Sequence, residues 1–172
     1  MTSAPERAPL AEVLRALGEI PDPEIPVITL EDLGVLRSVT PDEEHGRIHV
    51  EITPTYSGCP AMEVMEGQVA RVIALRGWEP VVERRLDPPW TTDWMSEAGK
   101  EKLRAFGIAP PGPAAPGQHD GTVGLSLSVR QVDCPSCGSS DTEELARFGS
   151  TACKALRRCR ACLEPFDEFK PL

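Results

Sequence analysis

Aromatic residues are scarce: they make up 5% of the 172 residues, with a single tyrosine, and there are only three histidines. His45, His49 and His119 fall in a turn, a strand and a proline-rich stretch, a scatter without metal-ligand spacing. Positive charge is also in deficit. Eighteen Lys and Arg against 27 Asp and Glu give a formal net charge of −9. A general binder of nucleic acid or anionic membrane needs the opposite balance, so neither is expected as a partner, although a local basic patch is compatible with the total. No run approaches the roughly 20 apolar residues of a membrane span. The opening "MTSAPERAPLAEVLRALGEI" has no basic segment leading into an apolar run, so no signal peptide is expected. The expectation is a cytoplasmic protein. G-x-G-x-x-G, P-loop and H-E-x-x-H motifs are missing, and no Ser-His-Asp arrangement is visible.

Proline, glycine and cysteine are plentiful instead, at 18, 14 and 6 residues. Leu10, Val13, Leu14 and Leu17 recur at helical spacing, and "PDPEIP" then stops the helix. "LGVLRSVTPDEEHGRIHVEITPT" alternates on both sides of a turn-rich centre and predicts a β-hairpin. "PAMEVMEGQVARVIALRGW" opens with Pro60, where a helix accepts proline, and continues with helical periodicity. "PVVERRLD" reads as a strand, and "WTTDWMSEAGKEKLRAFGI" as a helix entered through Thr92 or Ser96. The two tryptophans of "PPWTTDW" predict a core anchor, with an exposed partner-binding patch as the alternative. "APPGPAAPGQHDGT" has no apolar periodicity and reads as a linker. Alternation restarts in "VGLSLSVRQVDCPSCG". The fold class is therefore α+β: a small α/β domain over 1–107, a linker over 108–121 and a cysteine-clamped β unit over 122–172. A unit of that last size becomes stable through a staple.

The staple is legible. Cys134 and Cys137, then Cys159 and Cys162, form two C-x-x-C pairs about twenty residues apart. In a reducing compartment such pairs bind metal before they form disulfides. Four thiolates on two hairpin knuckles make a tetrahedral site, and closed four-cysteine sites are structural zinc sites. Rubredoxin-like iron or a bridging cluster is the alternative, because spacing alone does not choose the metal. Cys153 is surplus to four ligands and reads either as a small buried hydrophobe or as a thiol that assists metal transfer. The basic run "KALRRCR" could contact nucleic acid, offset thiolate charge or form a docking face, and the acidic whole weighs against the first.

Cys59 stands apart, in "TPTYSGCPAME" between a strand and a helix. At or next to an N-cap, free amides and the helix dipole favour a thiolate, which suits a reactive thiol or a soft-metal ligand. The alternative is a small residue filling the junction. Tyr56 and Ser57 are placed to hydrogen-bond nearby. One thiolate holds a metal weakly, so a cluster there needs a second chain, a small thiol, or carboxylates such as Asp22 and Glu24. "DPEIP" and "EDLG" otherwise read as loop punctuation with Asp as a cap.

"DPEIPVITLEDLG", "TPTYSGCPAMEVM" and "PPWTTDWMSEAGKEKLRAFGI" together resemble the SufT-like family linked to cytosolic iron–sulfur assembly. With the cysteine-rich tail added, nearly the whole chain resembles the D-subunit family (PaaD) of the bacterial phenylacetyl-CoA epoxidase system. The resemblance implies a metal- or cluster-handling role for Cys59, and places Asp22, Glu24 and Asp32 in the family motif without settling their roles. It implies a setting in aerobic phenylacetate breakdown, where the epoxidase adds one oxygen atom to the aromatic ring. The implied partners are a di-iron oxygenase subunit and a reductase carrying flavin and a [2Fe–2S] cluster, with a homodimer as a further option. Two E-x-x-H motifs of a di-iron bundle are missing, as is a recognisable loop for CoA phosphates. The chain is therefore expected to assist rather than to oxygenate: zinc in the four-cysteine site, iron or an iron–sulfur cluster passing through Cys59. A stoichiometric oxygenase component or electron relay using the four-cysteine site is the alternative.

Overall fold

A computed structural model describes residues 7–56, 58–112 and 131–171. Ser57, His119 and the alternation expected over 123–130 lie outside them. The chain divides into two compact units. The first comprises the residues up to Trp90 with Trp94–Gly99, the second Thr91–Asp93 with the residues from Lys100 onward.

In the first unit, α1 (Leu10–Gly18) follows Pro9, whose φ of −56° is set by its ring. Val13 and Leu17 turn inward, whereas Leu14, read from spacing as part of the apolar stripe, faces solvent. Strands β1 (Leu36–Asp42) and β2 (Arg47–Ile52) form the expected antiparallel hairpin. Asp42 Oδ1 accepts the His45 amide at 3.1 Å to close its turn, and Gly46 takes a left-handed φ of 71°. Strand β3 (Glu79–Arg84) pairs with β2 in parallel, giving the order β1-β2-β3. No tight turn joins parallel neighbours, so α2 (Met62–Ala74) makes the crossover. It buries Met62, Met65, Val69 and Ile73, three and four residues apart, and packs against β3 and α1, while Ile48, Val50 and Ile52 of β2 are fully buried. The alternate residues Arg47, His49 and Glu51 are left on the wetter face of the sheet.

Trp90 is buried, and its indole Nε1 donates to the Leu33 carbonyl at 2.9 Å. Trp94 is half-buried under the Arg37 guanidinium, 3.4 Å from the ring centroid. A 3-10 turn (Thr92–Trp94) leads to α3 (Glu97–Ala105), which Ser96 caps by accepting the Gly99 amide at 2.9 Å.

The second unit is a four-stranded sheet ordered β4-β7-β6-β5. Strands β5 (Thr142–Ala146), β6 (Lys154–Cys159) and β7 (Pro165–Phe169) are antiparallel, and β4 (Ile108–Ala109) joins β7 in parallel. Ile108 and Ala109, expected at the head of the linker, are strand residues here because the edge of β7 offers unpaired backbone groups. A small apolar cluster joins Ala109, Val132, Cys134, Cys159 and Phe166. Two of those five residues are cysteines of the C-x-x-C pairs.

Candidate metal centre and thiol corner

Each C-x-x-C pair closes a tight loop. The Gly138 amide donates to the Cys134 carbonyl at 2.8 Å, and the Cys134 amide to the Ser139 carbonyl at 2.9 Å. The Cys159 amide donates to the Glu164 carbonyl at 3.0 Å. A left-handed residue follows each pair, Gly138 at φ 74° and Leu163 at φ 67°. The pattern C-x-x-C-G foreshadows the first. Nothing in the sequence marks Leu163.

These loops bring four sulfurs together, all within 4.8 Å of one another. Cys134 Sγ lies 3.7 Å from Cys162 Sγ, and Cys137 Sγ 3.6 Å from Cys159 Sγ. A disulfide needs about 2.05 Å, so these are free thiols. A tetrahedron with metal–sulfur bonds of about 2.3 Å has an edge of about 3.8 Å, and the spacing fits one mononuclear ion. A cluster interposes iron and sulfide between its thiolates and needs them farther apart. Cys134 and Cys159 are buried, whereas Cys137 and Cys162 are exposed.

The thiols hold their protons unequally. Amides of Cys162 and Ala161 outweigh desolvation and lower Cys159 to about 7. At Cys162 the Glu164 amide lowers the value, but desolvation and the other three sulfurs together push it up to about 12. The Ser139 amide likewise lowers Cys137, and the Cys159 sulfur leads the influences that leave it raised. Four neighbouring thiols cannot all ionise without a cation between them, so metal entry displaces protons.

Cys153 lies outside this group. It is buried just before β6, with its sulfur 3.0 Å from Thr151 Oγ1, and the length of that strand separates it from Cys159. The basic run is neutralised within its own unit. Arg158 Nε and Arg160 Nη2 donate to the Glu143 carboxylate at 3.0 and 2.9 Å. Lys154 pairs with Asp167 at 3.2 Å. Arg157 and Glu168 make a buried pair at 3.1 Å, and Arg157 Nη2 also reaches Thr142 Oγ1 at 3.2 Å. These side chains brace the strands instead of offsetting the thiolates.

In the first unit, Cys59 sits in the connection from β2 to α2. Its amide donates to the Tyr56 carbonyl at 3.1 Å, and its carbonyl accepts the Met62 amide at 3.4 Å. Ala61 occupies the N-cap position, and Pro60 lies in the turn before it. The Ala61 and Met62 amides do favour a thiolate. Burial is the larger influence, and the Glu24 and Asp22 carboxylates add to it, so the thiol is pushed above its ordinary value. The expected thiolate is thus a protonated thiol while no cation is near. The fold brings Asp22, Glu24 and Cys59 into electrostatic reach of one another from loops 35 residues apart in sequence.

The acids have separate duties. Asp22 is buried, and its Oδ1 accepts the amides of Glu24 at 2.8 Å and Ile25 at 2.7 Å, holding the turn. Glu24 is half-buried on that turn. Asp32 takes no part in the corner. Its Oδ1 accepts Ser96 Oγ at 2.8 Å, its Oδ2 accepts the Thr29 amide at 3.2 Å, and its own amide donates to Thr29 Oγ1 at 3.1 Å. That is a reciprocal cap. Among the described residues, no helix is long and apolar enough to cross a membrane.

Comparison with known proteins assigns the two units separately. The model of the "Iron-sulfur cluster assembly protein" family matches residues 10–83, and that of the "PaaD zinc beta ribbon domain" matches residues 118–170. The Bacillus subtilis (strain 168) "Fe-S protein maturation auxiliary factor YitW" is 32% identical over 100 residues, spanning 57% of this chain and 96% of that protein. A solved "Domain of Unknown Function DUF59" from Bacillus anthracis has a TM-score of 0.49 at 27% identity, covering 54% of this chain and 89% of that one. The putative D subunit of 1,2-phenylacetyl-CoA epoxidase from Escherichia coli (strain K12) is 48% identical over 160 residues, which is 92% of this chain and 91% of the relative. With both units matched and coverage nearly complete in both directions, the chain belongs to the D-subunit family (PaaD) of phenylacetyl-CoA epoxidase.

Proposed function

We propose that this chain is an accessory maturation factor of a phenylacetyl-CoA epoxidase system, and that it delivers iron or an iron–sulfur cluster to the catalytic subunits without oxygenating anything itself. The observation that carries this reading is that the Glu24 and Asp22 carboxylates lie within electrostatic reach of Cys59, whose sulfur also meets the Ala61 and Met62 amides that open α2. The iron or cluster is cargo. A cation arriving there is drawn by the Glu24 and Asp22 carboxylates and displaces the thiol proton, which turns the raised thiol into a ligand only when cargo is present. One sulfur beside those carboxylates underfills a metal's coordination. Weak holding suits transfer, and a second copy's Cys59 or a client thiol would complete the set. The clients are the di-iron oxygenase subunit and the iron–sulfur flavin reductase.

In the ribbon, zinc is the ion we assign, with a structural role. Zinc binding there supplies folding free energy to a unit in which two of the four cysteines, Cys134 and Cys159, lie within an apolar cluster. A second reading, the electron relay, draws on the same geometry: the four-sulfur spacing also fits a single iron, and two of the sulfurs are exposed.

The test is to co-express the epoxidase subunits with the wild-type chain or with Cys59→Ser, then measure iron and acid-labile sulfide in the purified clients. Cys59→Ser is expected to fold normally and to leave the clients metal-poor. Unchanged client metallation and unchanged growth on phenylacetate would sink the maturation reading. Metal analysis and absorption spectra of anaerobically purified chain separate the two ribbon readings. About one zinc per chain and no visible bands is the expected result. Iron with charge-transfer bands, lost in Cys137→Ser, would put the relay first.

A further inference from the structure

Thr53 follows β2 and is 1% exposed. Its amide donates to the Val35 carbonyl at 3.0 Å, but its hydroxyl finds no hydrogen-bond partner among the described residues. A buried hydroxyl without a partner is unfavourable, so what lies in front of it matters. Two cavities of the first unit do, and Thr53 lines both. One, of about 120 Å³, is walled by Tyr56, Leu86, Pro89 and Trp90. The other, of about 210 Å³, is walled by Arg37, Glu51, Arg85 and Pro88. They adjoin at Thr53, so an apolar chamber and a charged one share a buried polar group.

The charged chamber is positive, with two guanidiniums against one carboxylate. Arg85 Nη1 donates to both Glu51 oxygens at 3.0 Å, and its Nε donates to the Asp87 carbonyl at 2.8 Å, so that pair is matched and fixed. Arg37 is the charge left over. It lies over the Trp94 ring and bonds no carboxylate among the described residues. A guanidinium held flat on a ring keeps its in-plane N–H groups for a ligand, and the ligand need not order it. The apolar chamber sets the rest of the ligand. A cavity of about 150 Å³ between apolar side chains takes one benzene. This chamber, open where Leu86 and Pro89 are exposed, has room for a single ring.

We propose that the two chambers form one binding site for a small aromatic carboxylic acid, its carboxylate on Arg37 and Thr53 and its ring among Tyr56, Leu86, Pro89 and Trp90. The Thr53 hydroxyl donates to the carboxylate and gains the partner it lacks. Neither half of the ligand suffices alone. A bare carboxylate leaves the apolar chamber wet, and a neutral ring leaves Arg37 unmatched. Tyr56 also ties the site to the Cys59 turn, because its carbonyl accepts the Cys59 amide at 3.1 Å. The proposal itself does not rest on cargo passing through that thiol.

The experiment titrates the full-length chain with phenylacetate, acetate, benzyl alcohol and N-acetylphenylalanine, followed by tryptophan fluorescence and by calorimetry. Phenylacetate is expected to bind with a Kd of about 0.1–1 mM, as suits a ligand of its size. Acetate lacks the ring and benzyl alcohol lacks the charge, and each should bind at least about 10-fold more weakly. Arg37 is exposed, so Arg37→Gln is expected to keep the urea midpoint, to weaken phenylacetate about 10-fold and to leave benzyl alcohol unchanged. Thr53→Val keeps the side-chain shape and should weaken phenylacetate roughly 3- to 10-fold. No saturable signal with phenylacetate up to about 20 mM would overturn the proposal. So would acetate that binds equally well, or an Arg37→Gln chain with wild-type affinity. N-acetylphenylalanine carries the same carboxylate and ring on a peptide-like body. Were it to bind more tightly than phenylacetate, the site would be a receptor for a chain terminus and the free-acid assignment would fall. Cys59→Ser is expected to bind phenylacetate as the wild type does, so failure of this site and failure of cargo delivery are read separately.

Discussion

Replacing Cys137 by serine tests whether metal is what folds the ribbon. Cys137 is the useful choice because it is exposed, whereas Cys159 belongs to the core and its loss would add a cavity. Structural zinc contributes about 10–16 kcal/mol to a small four-ligand site, so one thiolate is worth about 3 kcal/mol. The roughly forty residues from 131 to 171 would, at ordinary stability per residue, be stable by about 2–6 kcal/mol. One ligand is thus comparable to the whole. Metal affinity should fall at least about 100-fold, and the ribbon should be largely unfolded at limiting zinc. Two probes separate the units. Trp78, Trp90 and Trp94 all lie in the first unit, so tryptophan fluorescence in a urea titration follows that unit alone. Amide NMR signals from β5, β6 and β7 follow the second. The expected result is an unchanged fluorescence midpoint beside collapsed ribbon signals. Dispersed ribbon signals in the metal-stripped variant, or an equal shift in both probes, would refute the reasoning.

Three further outcomes are expected. Glu168→Gln should destabilise the ribbon by about 3 kcal/mol, because it strands the buried Arg157 guanidinium, while Arg157→Met with Glu168→Leu should recover most of that loss; paired urea midpoints read both. Ser96→Ala removes the cap of α3 and a hydrogen bond to Asp32, and should lower the stability of the first unit by about 1 kcal/mol in the fluorescence titration. Cys59 holds its proton more tightly folded than unfolded, so its contribution to stability is present below the ordinary thiol range and is lost as pH rises from there through the raised folded value. Alkylation of Cys59, followed by peptide mass spectrometry on metal-free protein, should therefore show a midpoint above that range. Glu24→Gln should move the midpoint down, and an unmoved midpoint would remove Glu24 from the corner.

Much of the architecture was legible because period and punctuation are local. Ile48, Val50 and Ile52 alternate as a half-buried strand must, and Met62, Met65, Val69 and Ile73 step as a buried helix face must. Where local reading went astray, a neighbour decided. Leu14 fits the helical stripe, yet α1 turns it to solvent. Ile108 and Ala109 look like the start of a linker until β7 offers them an edge. The site divides in the same way. C-x-x-C spacing announces two knuckles, but the pairing of "KALRRCR" with Glu143, Asp167 and Glu168 depends on which strands lie side by side. Asp32 and Asp22 look alike in an acidic loop. Only their hydrogen bonds distinguish a helix-capping brace from the turn beside Cys59.

By itself, then, the sequence determined the periodicities and the spacing of the two C-x-x-C pairs, since each depends on residue type and position along the chain. The boundary it suggested after Gly107 falls inside the second unit, which begins with Thr91–Asp93 and Lys100. Tertiary structure alone decided the state of Cys59. Helix position favours a thiolate, and burial with two carboxylates from a distant loop reverses it. The physical reason is range: backbone periodicity is settled within a few residues, whereas solvation and Coulomb energy sum over whatever the fold brings near.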